Sequence, residues 1–148
     1  LYALAKEYSF IKPYENITDM AALMSTCDLA VSAAGTTLYE LCALGVPAIS
    51  FTMADNQLVA AKAFDEAGAI PCAGDIRREK AQVMNKVFDF IQQMTAHNTS
   101  LITENTIAEP PSATPTESYQ RRLQAHQVMH RLVDGGGASR IANELAQL

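Results

Sequence analysis

The hydrophobic and polar positions over residues 28–57, DLAVSAAGTTLYELCALGVPAISFTMADNQ, alternate between two kinds of segment. Leu29 to Ser32 is a short apolar run without the alternation of a half-exposed strand, so it reads as a strand buried on both faces, as in a parallel sheet. Ala33, Ala34 and Gly35 make a turn with almost no side chain. Thr37 and Glu40 fit a T-x-x-E capping box, which starts a helix at Thr37. Gly45 ends that helix as a left-handed cap, with Pro47 just beyond. Pro47 to Phe51 is the next buried strand. Asp55 or Asn56 then opens a helix through Ala60, Ala61 and Phe64, stopped by Gly68. The stretch is one βαβ unit with a polar loop at the carboxyl end of each strand, and the rest of the chain reads as its scaffold.

Before this unit, residues 1–8 read as a helix, Ser9 to Lys12 as a short strand, and Thr18 as the cap of a helix with Met20, Leu23 and Met24 inward. After it, Ala69 to Cys72 is a third strand. Residues 77–97 form a long amphipathic helix with Val83, Val87, Phe90, Ile91 and Met94 on one face. Residues 98–117 hold five Thr, three Pro, two Ser and no aromatic residue, and read as a flexible loop or insertion. Ser118 caps a helix carrying Tyr119, Leu123, Met129 and Val133. A break at residues 134–137 precedes a last helix to Leu148. Strands alternating with helices predict an α/β fold, a Rossmann-like parallel sheet flanked by helices in a single domain. Ligands of such folds bind outside the carboxyl ends of the strands.

Composition narrows the function classes. The 148 residues suffice for one domain. A net charge of −5 argues against phosphate neutralisation on nucleic acid. The longest apolar run, residues 41–54, is too short and too interrupted to cross a bilayer. Cys27, Cys42 and Cys72 match no zinc spacing and read as free thiols in a reducing, cytoplasmic compartment. The opening LYALAKEY reads as the second half of a helix, so an amino-terminal portion is expected to precede it.

The candidate chemistry lies at the carboxyl edge. Small residues around Ser32, Gly35, Thr36 and Thr37 let a ligand approach the backbone, and the helix start offers unpaired N–H groups to a phosphate. A tight strand-to-helix turn explains the same residues equally well. No Lys or Arg occurs between Lys12 and Lys62, so only backbone and hydroxyl donors within this unit could meet an anion. Glu40 suits a ribose diol, or alternatively closes the capping box with Thr37. Asp55, Asn56 and Gln57 suit a sugar or phosphate; a helix cap explains Asp55 or Asn56 but not Gln57. His126 and His130 lie one helical turn apart, yet no nearby carboxylate or Cys completes a metal set, and a solvated or half-buried face explains them better. There is no G-x-G-x-x-G, no Walker A sequence, no nucleophile elbow and no catalytic triad.

Residues 28–49 (DLAVSAAGTTLYELCALGVPAI), followed by ADNQ and AGA, resemble the carboxyl-terminal lobe of GT-B nucleotide-sugar enzymes. Within them the chain is similar to the UDP-sugar hydrolases of pseudaminic-acid synthesis and their spore-coat polysaccharide relatives, and more distantly to the lipid II N-acetylglucosaminyltransferase. LVDGGGASRIANEL, residues 132–145, resembles the closing helix of the hydrolase group. The resemblance covers residues 10–73 and 132–145. It implies that Glu40 holds the ribose hydroxyls, that Gly35, Thr36 and Thr37 hold the diphosphate, and that Asn56 and Gln57 lie near the sugar and phosphates. Ile11 and Met20 align with the segment flanking the uracil. The helix dipole at Thr37 would stabilise departing UDP, with no metal or other cofactor called for. The family's earlier glycine-rich loop and its whole catalytic amino-terminal lobe have no counterpart here, so the chain alone is expected to bind weakly and catalyse nothing. UDP-sugar hydrolysis in surface-polysaccharide or nonulosonic-acid synthesis is the leading expectation. A glycosyltransferase lobe and a non-catalytic binding subunit are the alternatives.

Overall fold

A computed structural model describes residues 2–95 and 116–146. Three parallel strands, β1 (Ala30–Ala33), β2 (Ala48–Thr52) and β3 (Cys72–Asp75), lie side by side in chain order. Helix α3 (Thr37–Leu44) joins β1 to β2, and α4 (Leu58–Glu66) joins β2 to β3, after a single 3₁₀ turn at Asp55–Gln57. Helices α1 (Tyr2–Glu7) and α2 (Met20–Ser25) precede the sheet; α5 (Lys80–Thr95), α6 (Glu117–Leu132) and α7 (Gly137–Leu145) follow it. This is the expected α/β fold with a parallel sheet between helices.

Burial on both faces, expected of the first strand, fails there: β1 lies at the sheet edge with nothing paired beyond it among the described residues, and Val31 is 47% exposed. Central β2 is covered on both faces, with Ala48, Ile49, Ser50 and Thr52 all buried. Its two inward hydroxyls find acceptors on the neighbouring chain segment: Ser50 Oγ donates to Pro71 O at 3.3 Å, and Thr52 Oγ1 reaches Gly74 O at 3.5 Å. That is why polar residues survive in a central strand. One core packs α3, α4 and α6 together through Leu38, Leu41, Phe64, Ile70 and Met129. The other sets Val83, Val87 and Phe90 of α5 against Ile49 and Ala73. Gly45 ends α3 with φ +66°, and its carbonyl accepts from His126 Nδ1 of α6 at 2.8 Å. His126 therefore fastens α6 to the end of α3. With His130 it forms an edge-to-face ring pair, and no His/Cys/Asp/Glu cluster fit for a metal exists among the described residues.

Several element expectations need correction. Residues 9–12 form no strand; no neighbouring strand offers them a ladder, and Phe10 is 79% exposed. Asp19, not Thr18, caps α2 by accepting from Ala22 N, and Met20 faces outward. β3 starts three residues late. Gly68 turns left-handed, and the N–H groups of Ala69 and Ile70 both return to Phe64 O at 3.0 and 3.2 Å. Pro71 has no N–H to give, so pairing begins at Cys72. α5 starts at Lys80 because residues 76–78 turn around Asp75. Thr116 rather than Ser118 caps α6; Ser118 is buried inside the first turn. The remaining loop expectation, residues 98–115, lies outside the described residues, as does His97. All three cysteines are free, and burial lifts the Cys42 thiol to about 11, leaving it unreactive.

Candidate functional site

The carboxyl ends of β1, β2 and β3 place three loops on one edge of the sheet. At the first, Ala34 N donates to Phe51 O at 2.9 Å and Gly35 N turns back to Ala33 O at 2.8 Å. Thr36 occupies the cap position of α3 in helical geometry, with no side-chain capping bond. The expected Thr37–Glu40 box is thus out of register by one: Tyr39, not Glu40, is the third helical residue. The N–H groups of Thr36 and Thr37 donate to nothing among the described residues. Glu40, exposed, has no hydrogen bond or ion pair there either. The competing capping role for Glu40 is absent. A Cβ built on Gly35 would meet nothing within 4 Å, and its φ is not left-handed, so the turn itself does not demand glycine.

The second loop is held differently. Gln57 Oε1 accepts from Met53 N at 2.9 Å, an internal brace that a helix cap could not explain. Asp55 receives Arg77 Nη2 at 2.6 Å, and the same nitrogen reaches Asp75 Oδ2 at 2.7 Å. Arg77 Nε adds a bond to Asp75 Oδ1 at 3.0 Å. The Arg77 hydrogen bond holds the Asp75 carboxyl well below its usual range, at about 2. A bulge aims these groups: Ser50 pairs with Cys72 but Thr52 with Asp75, so β3 carries one extra residue, and Gly74 takes φ +124°. Asn56 stays exposed beside this braced cluster. Ser32 lies within β1 opposite Ser50, its hydroxyl donating to Ala33 O at 2.9 Å. Ile11 is half-buried in the segment between α1 and α2, and Met20 is largely exposed.

Glu40 opens on a cleft of about 380 Å³ between α3 and the α6–α7 turn, shared with Asp134, Gly135 and Arg140. The sequence singled out Glu40 but treated residues 134–137 only as a turn. It also missed Arg77, because the third strand was placed early and the following helix begun at residue 77. Counting from a strand ending at Asp75 would have put Arg77 on the carboxyl edge beside Asp55.

A parallel sheet flanked by helices, with its open helix end and free carboxylate at the carboxyl edge, is the Rossmann-like half of a GT-B architecture. The chain matches the model of the Glycosyltransferase family 28 C-terminal domain over residues 4–114 and belongs to that family. It is 28% identical over 137 residues to the spore coat polysaccharide biosynthesis protein SpsG of Bacillus subtilis, which covers 93% of this chain and 33% of that protein. It is 39% identical over 61 residues to a Helicobacter pylori protein, "Pseudaminic acid cytidylyltransferase and UDP-2,4-diacetamido-2,4,6-trideoxy-beta-L-altropyranose hydrolase", covering 41% of this chain and 11% of that one. The chain thus spans about a third of the first relative and about a ninth of the second. No solved structure matches it. No helix among the described residues is long and apolar enough to cross a membrane.

Proposed function

We propose that this chain is the nucleotide-holding lobe of an enzyme that hydrolyses a UDP-sugar, working with an amino-terminal lobe that supplies the catalytic base. The observation that carries this reading is the hydrogen-bonding capacity left unfilled among the described residues: the N–H groups at Thr36 and Thr37, and the Glu40 carboxylate one turn further on. In this reading the N–H groups and the positive end of α3 take the diphosphate. Gly35 lets it approach the backbone, and Glu40 accepts from both ribose hydroxyls. When the anomeric bond breaks, negative charge grows on the departing UDP, and the α3 terminus is already oriented to stabilise it. Asn56 and the free amide of Gln57 face the sugar side, with Asp55 and Ser32 shaping the walls. Free thiols fit a cytoplasmic setting. The hydrolase branch is supported by the Helicobacter pylori relative's name, and a role in polysaccharide or nonulosonic-acid synthesis by both names.

The family description itself favours a second reading, transfer of the sugar to a sugar or lipid acceptor. The test incubates the complete two-lobed protein with UDP-N-acetylhexosamines. Release of UDP and free sugar without any acceptor supports hydrolysis, and release only when an acceptor is added supports transfer. No release, together with no UDP binding by calorimetry, contradicts both.

A further inference from the structure

The two edge strands of the sheet are finished differently. In a parallel ladder the backbone groups of a strand turn to its two sides in alternation. Ala30 N donates to Pro47 O and Ala34 N to Phe51 O, each at 2.9 Å, so the amides of Val31 and Ala33 turn away from β2. Neither amide has a hydrogen-bond partner among the described residues, nor has the Val31 carbonyl beside them. At the far edge, Ser50 N donates to Pro71 O, which turns the Cys72 amide outward in the same way. That amide is already taken: it donates to Asp65 Oδ1 at 3.1 Å, on helix α4. Pro71 has no N–H to offer, and the bulge before Asp75 interrupts a regular ladder. Proline, a bulge and a covering carboxylate are ways of closing an edge against further pairing. β1 carries none of them: residues 29–34 read LAVSAA, without charge, proline or a shift of register.

The side chains agree with the backbone. Val31 stands in register with Ile49 and shares its face of the sheet. Ile49 is buried in the cluster that α5 makes with Val83, Val87 and Phe90, whereas Val31, one strand further out, is half-exposed. Parallel sheets are covered on both faces, and this one is left uncovered at β1.

We infer that the open edge of β1 takes a further strand, running parallel and supplied by polypeptide outside residues 1–148 of the complete protein. Its backbone meets the Val31 N–H, the Val31 carbonyl and the Ala33 N–H, and its side chains cover Val31. Parallel addition continues a sheet whose strands already run parallel. A second copy meeting this edge through its own β1 would lie antiparallel across a two-fold axis and break that pattern. A relative such as SpsG, of which this chain matches 33%, has ample further polypeptide to supply the strand. The inference stands apart from the nucleotide reading, since it uses backbone groups on the opposite side of β1 from β2 and no ligand.

The experiment follows amide hydrogen exchange and cross-strand NOEs in the complete protein. After correction for intrinsic rates, the Val31 and Ala33 amides exchange within about tenfold of those of Ala30 and Ala34, which bond to β2. NOEs from the Val31 and Ala33 amides reach residues outside this stretch, in the pattern of parallel neighbours. Exchange faster than that margin overturns the inference, because the edge is then open in the complete protein. NOEs to residues within the stretch, from the same molecule or from a second copy, also overturn it, as does the Hα–Hα pattern of an antiparallel pair.

Discussion

The loops after β1 and β2 end neighbouring strands of one sheet, and they leave their polar groups in opposite conditions. After β2, Asp55 is tied to Arg77, Arg77 to Asp75, and Gln57 to the Met53 N–H. After β1, the Thr36 and Thr37 N–H groups and the exposed Glu40 carboxylate have no partner among the described residues. Satisfied groups stabilise the fold, whereas unsatisfied ones at a cleft are held ready for something else. Similar residue types at equivalent places on the edge therefore divide into brace and receptor.

If that division is real, Glu40→Gln produces the largest change in binding. UDP affinity drops about 10- to 100-fold, the range for hydrogen bonds to a charged group, while the melting temperature stays put. Survival of binding with a loss of stability would reverse the division. The two glycines that flank α3 sharpen it. Gly45→Ala destabilises by about 2–4 kcal/mol in denaturant unfolding, because its φ is +66° and the new Cβ would lie 2.1 Å from His126 Nδ1. Gly35→Ala keeps the melting temperature and lowers UDP affinity by about fivefold, since nothing in the protein occupies the space its methyl would enter.

Arg77→Ala behaves as a brace mutation, with a lower melting temperature and UDP affinity within about threefold of wild type. Its pH dependence follows from Asp75. The native carboxyl is lowered from 3.8 to about 2, so its stabilising contribution is present above about pH 4 and is lost as pH falls toward 2. The stability gap between wild type and Arg77→Ala should therefore be full at neutral pH and close across that acid window. A gap that persists unchanged to pH 2 contradicts the ion-pair explanation. Asn56→Ala is the mildest change, a two- to threefold loss of UDP affinity by calorimetry for one exposed hydrogen-bonding group, with no change in melting.

Most of the fold was legible in residues 28–57, where the apolar runs, the small-residue turn and Gly45 marked two strands and the helix between them, but the first strand, read as buried on both faces, lies at the sheet edge and exposes Val31. The errors came where tertiary partners decide. Residues 9–12 have strand-like composition but no strand to pair with, and β3 slid to Cys72 because Gly68 and Pro71 governed the backbone before it. At the site, Glu40 was legible as a carboxylate just inside a helix, but its freedom was not, since a one-residue shift of the cap decides it. Arg77 was missed because its place follows from where β3 ends, and that strand was begun and ended three residues early.

The division between the two loops is tested most directly by an amide NMR titration with UDP, with CMP and ADP as controls. Shifts specific to UDP and centred on Gly35, Thr36, Thr37 and Glu40, with residues 75–78 still, are the expected result. Shifts centred on the Asp55–Arg77–Asp75 cluster, or an equal response to all three nucleotides, would contradict it.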